Sequence, residues 1–209
     1  MEKTPTGKER LIKSAAQLFH ARSYASVGVN DLCEHADVRR GSFYYYFPSK
    51  EALALAVLEH EARELTEDVF EPAFGDVGTP LNGFERLLER LHDYHRLRIE
   101  QESGSVGGCP IANLGQELGS QYEDIREKAA EIMEGFTTAY ERAIADAVAQ
   151  GELPPDVDLR LTAERVRAYV QGVLEAVKLQ NDPGALLRLG IDVRGLAVRA
   201  GSDATPLTG

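Results

Sequence analysis

The chain has 209 residues, of which 43% are hydrophobic, and a formal net charge of −11. This length is enough to bury a substantial core in one or two domains. No segment approaches the roughly 18 consecutive apolar residues of a membrane span, the first residues lack the apolar stretch of a secretory signal, and two cysteines argue against a disulfide framework. We therefore expect a cytoplasmic protein with no membrane partner.

The two ends of the chain differ in charge. Residues 1–50 carry eight Lys/Arg against five Asp/Glu, a charge of +3, whereas the remainder carries fifteen against twenty-nine, a charge of −14. Because a polyanion is attracted to the basic end and repelled by the acidic remainder, a nucleic-acid partner is expected at the N-terminal end.

Residues 24–50 contain the most informative pattern, two short helices around a tight turn. The first of these helices is predicted by apolar residues that recur at i, i+3, i+4 and i+7, namely Val29, Leu32, Cys33 and Ala36. A turn at Asp37 and Val38 leads into a second helix at about 39–47. This arrangement is typical of a helix-turn-helix, whose second helix enters the major groove of DNA.

The second helix has an anchoring face and a polar face. Phe43 and Phe47 lie at i, i+4 with Tyr46 beside them, so these rings are expected to face the domain core. Arginines at the N-terminal end of such a helix can bind guanine edges or phosphate, and tyrosine hydroxyls can donate to phosphate. The residues expected to contact DNA, the last of them at the start of the following helix, are Arg39, Arg40, Gly41, Ser42, Tyr44, Tyr45 and Lys50. The simpler alternative is that the rings only pack a small helical core.

In these first fifty to sixty residues the chain resembles the DNA-binding domain of the TetR, or tetracycline-repressor-like, transcriptional regulators. The matching residues are Ala16, Leu18, Phe19, Tyr24, Val29, Asp31, Leu32, Ala36, Val38, Gly41-Ser42-Phe43-Tyr44, Tyr46-Phe47 and Ser49-Lys50-Glu51. The chain departs from the usual pattern at Val27, Gly28, Asp37, Arg39 and Arg40, which bears on the operator that is read. The resemblance implies an all-α fold with an N-terminal three-helix DNA-binding domain and a C-terminal helical domain for ligand binding and dimerisation.

The rest of the chain is predicted to be helical, with no strand-like alternation and no internal repeat. Apolar periodicity indicates helices over about 49–70, 84–102, 111–118, 125–150, 159–180 and 184–200. We expect residues 1–50 to form the DNA-binding domain, residues 51–200 the effector-binding and dimerisation domain, and residues 201–209 a disordered tail.

The last two predicted helices are candidates for a dimer interface because they are apolar around most of their circumference. An operator with two half-sites is read by a two-fold dimer, so the predicted function also requires self-association. The alternative is that these residues complete the core of one chain. The predicted interface residues are Val166, Val170, Val173, Leu174, Leu187, Ile191 and Leu196.

An effector pocket is implied by the resemblance, since the family binds small molecules between the helices of the C-terminal domain. A pocket is mostly apolar with a few convergent polar groups. The candidate residues are His92, Tyr94, His95, Cys109, Phe136, Tyr140 and Tyr169. Cys109 stands at a predicted helix start, where the thiol would be reactive toward oxidants or electrophiles, which suggests a redox-sensing repressor as an alternative. The competing interpretation is a small buried residue.

Other functional classes have little support in the sequence. His92 and His95, with Glu89 on the same helical face, have a spacing that fits a metal, but no third ligand is evident, so no metal or cofactor is expected. No phosphate-binding glycine motif and no nucleophile with its base are present, which argues against an enzyme. A helical scaffold that does not bind DNA remains the alternative of another class.

Overall fold

The computed structural model describes residues 5–75, 78–100 and 106–200. Within these ranges the chain forms helices and no strand, apart from one isolated bridge between Val157 and Arg199. The helices are α1 (Gly7–Arg22), α2 (Val29–His35), α3 (Arg40–Tyr46), α4 (Lys50–Leu65), α5 (Glu71–Phe74), α6 (Asn82–Arg98), α7 (Pro110–Leu118), α8 (Glu123–Ala149), α9 (Leu159–Gln180), α10 (Ala185–Leu189) and α11 (Val193–Leu196), with a π-helical turn at Thr66–Phe70. The predicted all-α fold is confirmed.

Side chains before the helices cap several of them. Thr6 accepts a hydrogen bond from the Glu9 backbone N–H, and the Glu9 carboxylate accepts one from the backbone N–H of Thr6, which forms a capping box at α1. Ser49 and Asp158 accept in the same way at α4 and α9. These caps fix the residues at which α1 and α4 begin. The two helices flank the helix-turn-helix, which is formed by α2 and α3.

The chain divides into two compact units. The first comprises Met1–Thr66 and Leu97–Met133, and the second Glu67–Arg96 and Glu134–Gly209. In the first unit, α1 packs against α2 and α4, α2 packs against α3, and α7 packs against α4. Its fully buried side chains include Leu11, Leu32, Phe43, Leu53, Leu58, Ile111 and Ile125. The three-helix domain thus shares its core with α7 and the start of α8.

The second unit is built around α9, against which α10 and α11 pack. Its largest fully buried side chains include Phe84, Leu87, Ile144 and Leu186. The segments beside Val157 and Arg199 are joined by backbone hydrogen bonds from Asp158 to Val198 and from Ala200 to Asp156. The segment around residue 200 is therefore held against the residues that precede α9.

These elements correct one sequence prediction. The single helix predicted over 184–200 is wrong, because α10 ends at Leu189 before Gly190, whose φ of 55° and ψ of −166° are not helical, and α11 begins only at Val193. The predicted disordered tail, residues 201–209, lies outside the described residues. None of the helices in the described ranges has the length and apolar character needed to cross a membrane.

Candidate nucleic-acid interface

The turn between α2 and α3 has the tight geometry that the sequence predicts. Asp37 adopts a left-handed conformation with φ of 49°, which Asp tolerates better than most residues. The Val38 N–H donates to the Cys33 carbonyl at 2.9 Å. Helix α3 therefore leaves the turn in a fixed direction relative to α2.

Arg10 on α1 clamps this turn, a role that the sequence analysis did not identify. Its Nε donates to the Ala36 carbonyl at 2.9 Å and its Nη2 donates to the Asp37 carbonyl at 3.0 Å. Both carbonyls lie at the C-terminal end of α2, where helical partners are missing. No local pattern could reveal this contact, because Arg10 lies 26 and 27 positions before its two acceptors.

The anchoring face of α3 is confirmed. Phe43 is 0% and Phe47 is 4% exposed, and their ring centroids lie 6.2 Å apart. Tyr46 is half-buried, and its ring lies so close to Gly7 that a Cβ on that glycine would be 3.0 Å from Cε2. These rings hold α3 on α1 and leave the opposite face of the helix turned outward.

The outward face of α3 carries the side chains predicted to contact DNA. Tyr45 is 83% and Tyr44 is 51% exposed, and Arg39, Arg40 and Gly41 are also exposed, whereas Ser42 is half-buried. A Cβ on Gly41 would meet nothing within 4 Å, so the protein's own packing does not require a glycine there. The face presents two guanidinium groups and two phenol groups on one rigid surface.

Lys50 differs from the other members of the predicted set. Its ammonium donates to the carbonyls of Tyr24 at 3.0 Å and Val27 at 2.8 Å and lies 3.8 Å from the centre of the Tyr24 ring. Burial lowers the pKa of Lys50, and the nearby carboxylates of Glu51 and Glu117 oppose that shift. With two of its three N–H groups engaged inside the protein, Lys50 has at most one N–H group left for phosphate, and the predicted phosphate contact stays a prediction.

The Lys50→Ala variant is accordingly expected to lose stability as well as DNA affinity. Two charge-assisted hydrogen bonds to the α1–α2 loop disappear, and we expect the free energy of unfolding to fall by about 1–2 kcal/mol because the site is only half-buried. Urea unfolding followed by circular dichroism measures this change. A variant with wild-type stability and only a reduced salt dependence of DNA binding would restore the phosphate-binding interpretation.

The predicted effector-pocket residues fall into both units. Phe136 and Tyr140 belong to an aromatic cluster of the second unit, in which Phe136 stacks on Phe70 with centroids 4.5 Å apart and an interplanar angle of 13°. Tyr140 contacts Phe70, Phe74 and Phe84, with centroids 5.5–6.2 Å apart. The structure therefore brings two of the predicted residues together in a largely buried apolar environment.

The polar candidates of the second unit lie in different surroundings. Tyr94 and His95 are 9% and 2% exposed and pack edge to face, whereas His92 is half-buried with its Nδ1 3.3 Å from Asp93. The Tyr169 hydroxyl donates to the Leu189 carbonyl and ties α10 to α9. The described ranges contain no group of three or more His, Cys, Asp or Glu side chains that could hold a metal ion.

Cys109 belongs to the first unit, whereas the other pocket candidates belong to the second. It precedes α7 as the N-cap residue, and its carbonyl accepts a hydrogen bond from the Asn113 N–H. The residue is 7% exposed. Because reaction with an oxidant or electrophile requires access to the thiol, this burial favours the packing role that the sequence left open.

The predicted dimer interface requires a correction. Val166, Val170, Val173 and Leu174 are only 0–4% exposed in the single chain, so they form the core of the second unit and have almost no surface left for a partner. Apolar periodicity identifies a covered face without showing what covers it. Three other predicted interface residues retain surface: Leu187 is 50% exposed, and Ile191 and Leu196 are half-buried.

Family models match both parts of the chain. Residues 11–57 match the model described as bacterial regulatory proteins, tetR family. Residues 83–190, about half of the chain, match the tetracyclin repressor-like C-terminal domain. The first match contains the whole of α2 and α3, and the second contains α7, α8, α9 and α10.

Individual proteins with similar sequences are named as transcriptional regulators. The transcriptional regulator AcuR of Cereibacter sphaeroides is 30% identical over 180 residues, covering 85% of this chain and 79% of AcuR. The transcriptional repressor DhaR of a Mycobacterium species is 28% identical over 182 residues, 87% of each chain. The crystal structure of a regulatory protein TetR from Rhodobacter sphaeroides superposes with a TM-score of 0.80 at 26% identity, covering 92% of this chain and 99% of that one.

Proposed function

This chain belongs to the TetR family of transcriptional regulators, and from that membership we propose that it is a repressor that binds a palindromic operator as a homodimer and is released by a small-molecule effector. We place its action in the cytoplasm, where operator DNA is found. In this proposal residues 1–50 bind DNA, and residues 51–200 bind the effector and form the dimer.

The observation that carries this proposal is the outward face of α3. Phe43 and Phe47 are buried, whereas Arg40 and Tyr45 are exposed. The N-terminal end of the helix is open, since a Cβ on Gly41 would meet no atom within 4 Å. Arginine at this end fits bidentate contact with guanine, and exposed tyrosine fits phosphate. A helical scaffold that does not bind DNA would leave this exposed aromatic and basic surface without a role.

Homodimer formation is supported by one exposed stripe of α9. Seven residues recur there at helical spacing and are exposed or half-buried: Leu161, Arg165, Ala168, Gly172, Glu175, Ala176 and Leu179. Leu179 is 79% exposed, and a Cβ on Gly172 would meet nothing within 4 Å. Exposed leucines around small residues suit the close approach of a second helix.

The same stripe is self-complementary under a two-fold axis beside Val170. Ala168 and Gly172 lie two positions on either side of that residue, Arg165 and Glu175 five, and Leu161 and Leu179 nine. In an antiparallel pair of α9 helices, leucine would face leucine, arginine would face glutamate, and the small residues would meet at the centre. An isologous interface needs such pairing, in which residue i contacts j and j contacts i.

Gly172→Arg is expected to convert the dimer into a folded monomer. The open space at Gly172 accommodates the new side chain within one protomer, and loss of a helical glycine favours α9, whereas two arginines at the centre of the stripe would keep the partner away. Size-exclusion chromatography with light scattering gives the mass, and circular dichroism the helix content. The charge-exchanged Arg165→Glu/Glu175→Arg protein is the matched control and should remain dimeric, unlike either single variant. A dimeric Gly172→Arg protein would contradict the α9 interface.

For the effector we propose the aromatic cluster of the second unit as the binding region. Phe70, Phe136 and Tyr140 join the π-helical turn to α8, and π-helical turns often occur at functional sites. An apolar or aromatic small molecule would be recognised by stacking on these rings, with the Tyr140 hydroxyl as a polar contact.

A gel shift with the DNA that flanks the protein's own gene tests the proposed function. We expect the protein to retard a fragment that contains a short inverted repeat, and footprinting should protect two half-sites one helical turn or a multiple apart. Scrambling one half-site should abolish the specific complex. Equal affinity for the flanking fragment and for random DNA would support the scaffold alternative.

A further inference from the structure

Tyr24, in the loop between α1 and α2, is bound at each of its polar groups. Its N–H donates to Glu117 at 3.0 Å, its carbonyl accepts from Lys50 at 3.0 Å, and its hydroxyl donates to Glu51 at 3.2 Å. The side chain is 6% exposed. The loop that precedes the helix-turn-helix is therefore held by side chains from other elements.

Glu117 on α7 provides the first of these attachments from outside the helix-turn-helix. Its two carboxylate oxygens accept from the consecutive N–H groups of Tyr24 at 3.0 Å and Ala25 at 2.9 Å. Helix α1 ends at Arg22, and Ser23 turns the chain with φ of 71°, so these two N–H groups lie beyond the hydrogen bonds of the helix. An ionised acceptor satisfies both, and charge-assisted hydrogen bonds are about twice as strong as neutral ones.

Tyr122, between α7 and α8, provides the second attachment. Its hydroxyl donates to Glu51 Oε1 at 3.1 Å, the same oxygen that accepts from the Tyr24 hydroxyl. Hydrogen bonds from Ser49 and the Glu51 backbone, together with those from the two tyrosines, lower the pKa of Glu51 and keep it an ionised acceptor. Glu51 stands in the first turn of α4, directly after the α3 segment.

These two attachments hold different points of the same body. Glu117 holds the loop before α2, and Tyr122 holds the start of α4 after α3. A single tether would allow the helix-turn-helix to pivot about it, whereas two tethers on either side of α2 and α3 fix its orientation. Both partners come from α7 and the residues that follow it, outside the segment matched by the DNA-binding family model.

We propose that Glu117 and Tyr122 are positioning residues for operator binding, which hold the α1–α2 loop and the start of α4 in the placement from which α3 reads DNA. This inference rests on the proposed function. Neither residue is expected to touch DNA. Their effect passes through Tyr24, Ala25 and Glu51, and it sets how the two helix-turn-helix motifs of a dimer meet successive half-sites.

The direction in which one substitution changes the DNA affinity distinguishes a positioning role from a purely electrostatic effect. Glu117→Gln removes a negative charge near the DNA-binding surface, and on electrostatic grounds alone this change should tighten DNA binding. If Glu117 positions the loop, the same variant should bind more weakly, because a neutral amide offers only one oxygen to two N–H groups. Glu127→Gln is the matched control, since Glu127 is an exposed carboxylate of α8 whose ion-pair distance to Arg126 is 4.0 Å.

The experiment compares full-length wild type, Glu117→Gln, Tyr122→Phe and Glu127→Gln on the operator found by the gel shift. Affinity is measured at several salt concentrations and on operators whose half-sites are moved apart or together by one and two base pairs. We expect Glu117→Gln and Tyr122→Phe to bind about three- to tenfold more weakly, with an unchanged salt slope and a flatter spacing preference. Glu127→Gln should bind like wild type or slightly more tightly. Circular dichroism and light scattering establish equal folding and equal mass.

Changes in spacing preference distinguish positioning from a general loss of stability, which would lower the affinity for all spacings equally. Wild-type affinity and wild-type spacing preference in both variants would overturn the positioning role while leaving the proposed function intact. A uniform loss at all spacings would also overturn it. If wild type itself failed to distinguish operator from random DNA, the proposed function would fail, and the positioning role with it.

Discussion

Replacing Arg98 with methionine is expected to lower the free energy of unfolding by about 3–5 kcal/mol. Glu61, on α4, is 0% exposed, and Arg98, the last residue of α6, is 8% exposed. The guanidinium donates to both carboxylate oxygens of Glu61 at 2.7 and 2.8 Å. Without the guanidinium, the buried carboxylate loses two charge-assisted hydrogen bonds that offset its lost hydration.

A double variant tests whether the buried charge of Glu61 causes the loss of stability. Glu61→Leu combined with Arg98→Met removes both charges, and hydrophobic replacement of a buried pair is often neutral. We expect this double variant to recover most of the lost stability in urea unfolding. A single variant within about 1 kcal/mol of wild type would show that the pair contributes little, whereas a double variant as unstable as the single would show that the remaining charge is not the cause of the loss.

The helix-turn-helix could be predicted because its determinants lie within one short segment. The spacing of Phe43 and Phe47 and the turn at Asp37 are local properties, and the structure places them as the spacing requires. The polar contacts that hold the segment could not be predicted. Arg10, Glu117 and Tyr122 reach acceptors or donors 26 to 93 positions away, and no periodicity reports such pairings.

The apolar helices show a different limit. The pattern places Val166 and Val170 on an apolar face of α9 and predicts a dimer interface there, but periodicity does not say whether the same chain or a partner covers that face, and in the structure the same chain covers it. The surface that we propose for a partner is the stripe around Gly172, where small and charged residues stand between the exposed leucines and weaken the apolar pattern. Lys50 shows that sequence position alone does not identify a partner. A lysine at a helix start can bind phosphate, but it can also bind loop carbonyls, as Lys50 does here.

Arg40→Ala is expected to weaken operator binding by about 2–6 kcal/mol in a dimer, since a bidentate contact with guanine is worth about 1–3 kcal/mol and is made in each half-site. Arg40 is exposed at the first position of α3, so its truncation leaves the fold unchanged. The loss corresponds to a decrease in affinity of about thirtyfold or more. Fluorescence anisotropy with labelled operator, and with operators altered at each base pair, measures both affinity and sequence preference.

The sequence preference is the decisive part of this measurement. If Arg40 reads a base, Arg40→Ala should become indifferent to changes at one base pair of each half-site and keep its discrimination elsewhere. If Arg40 binds only phosphate, affinity should fall evenly across all sequences with a smaller salt slope. The control is Arg63→Ala, which makes the same change in charge. Arg63 is exposed near the end of α4, about 20 Å from the start of that helix, so its replacement should leave the sequence preference unaltered. Equal behaviour of the two variants would remove Arg40 from the base-reading surface.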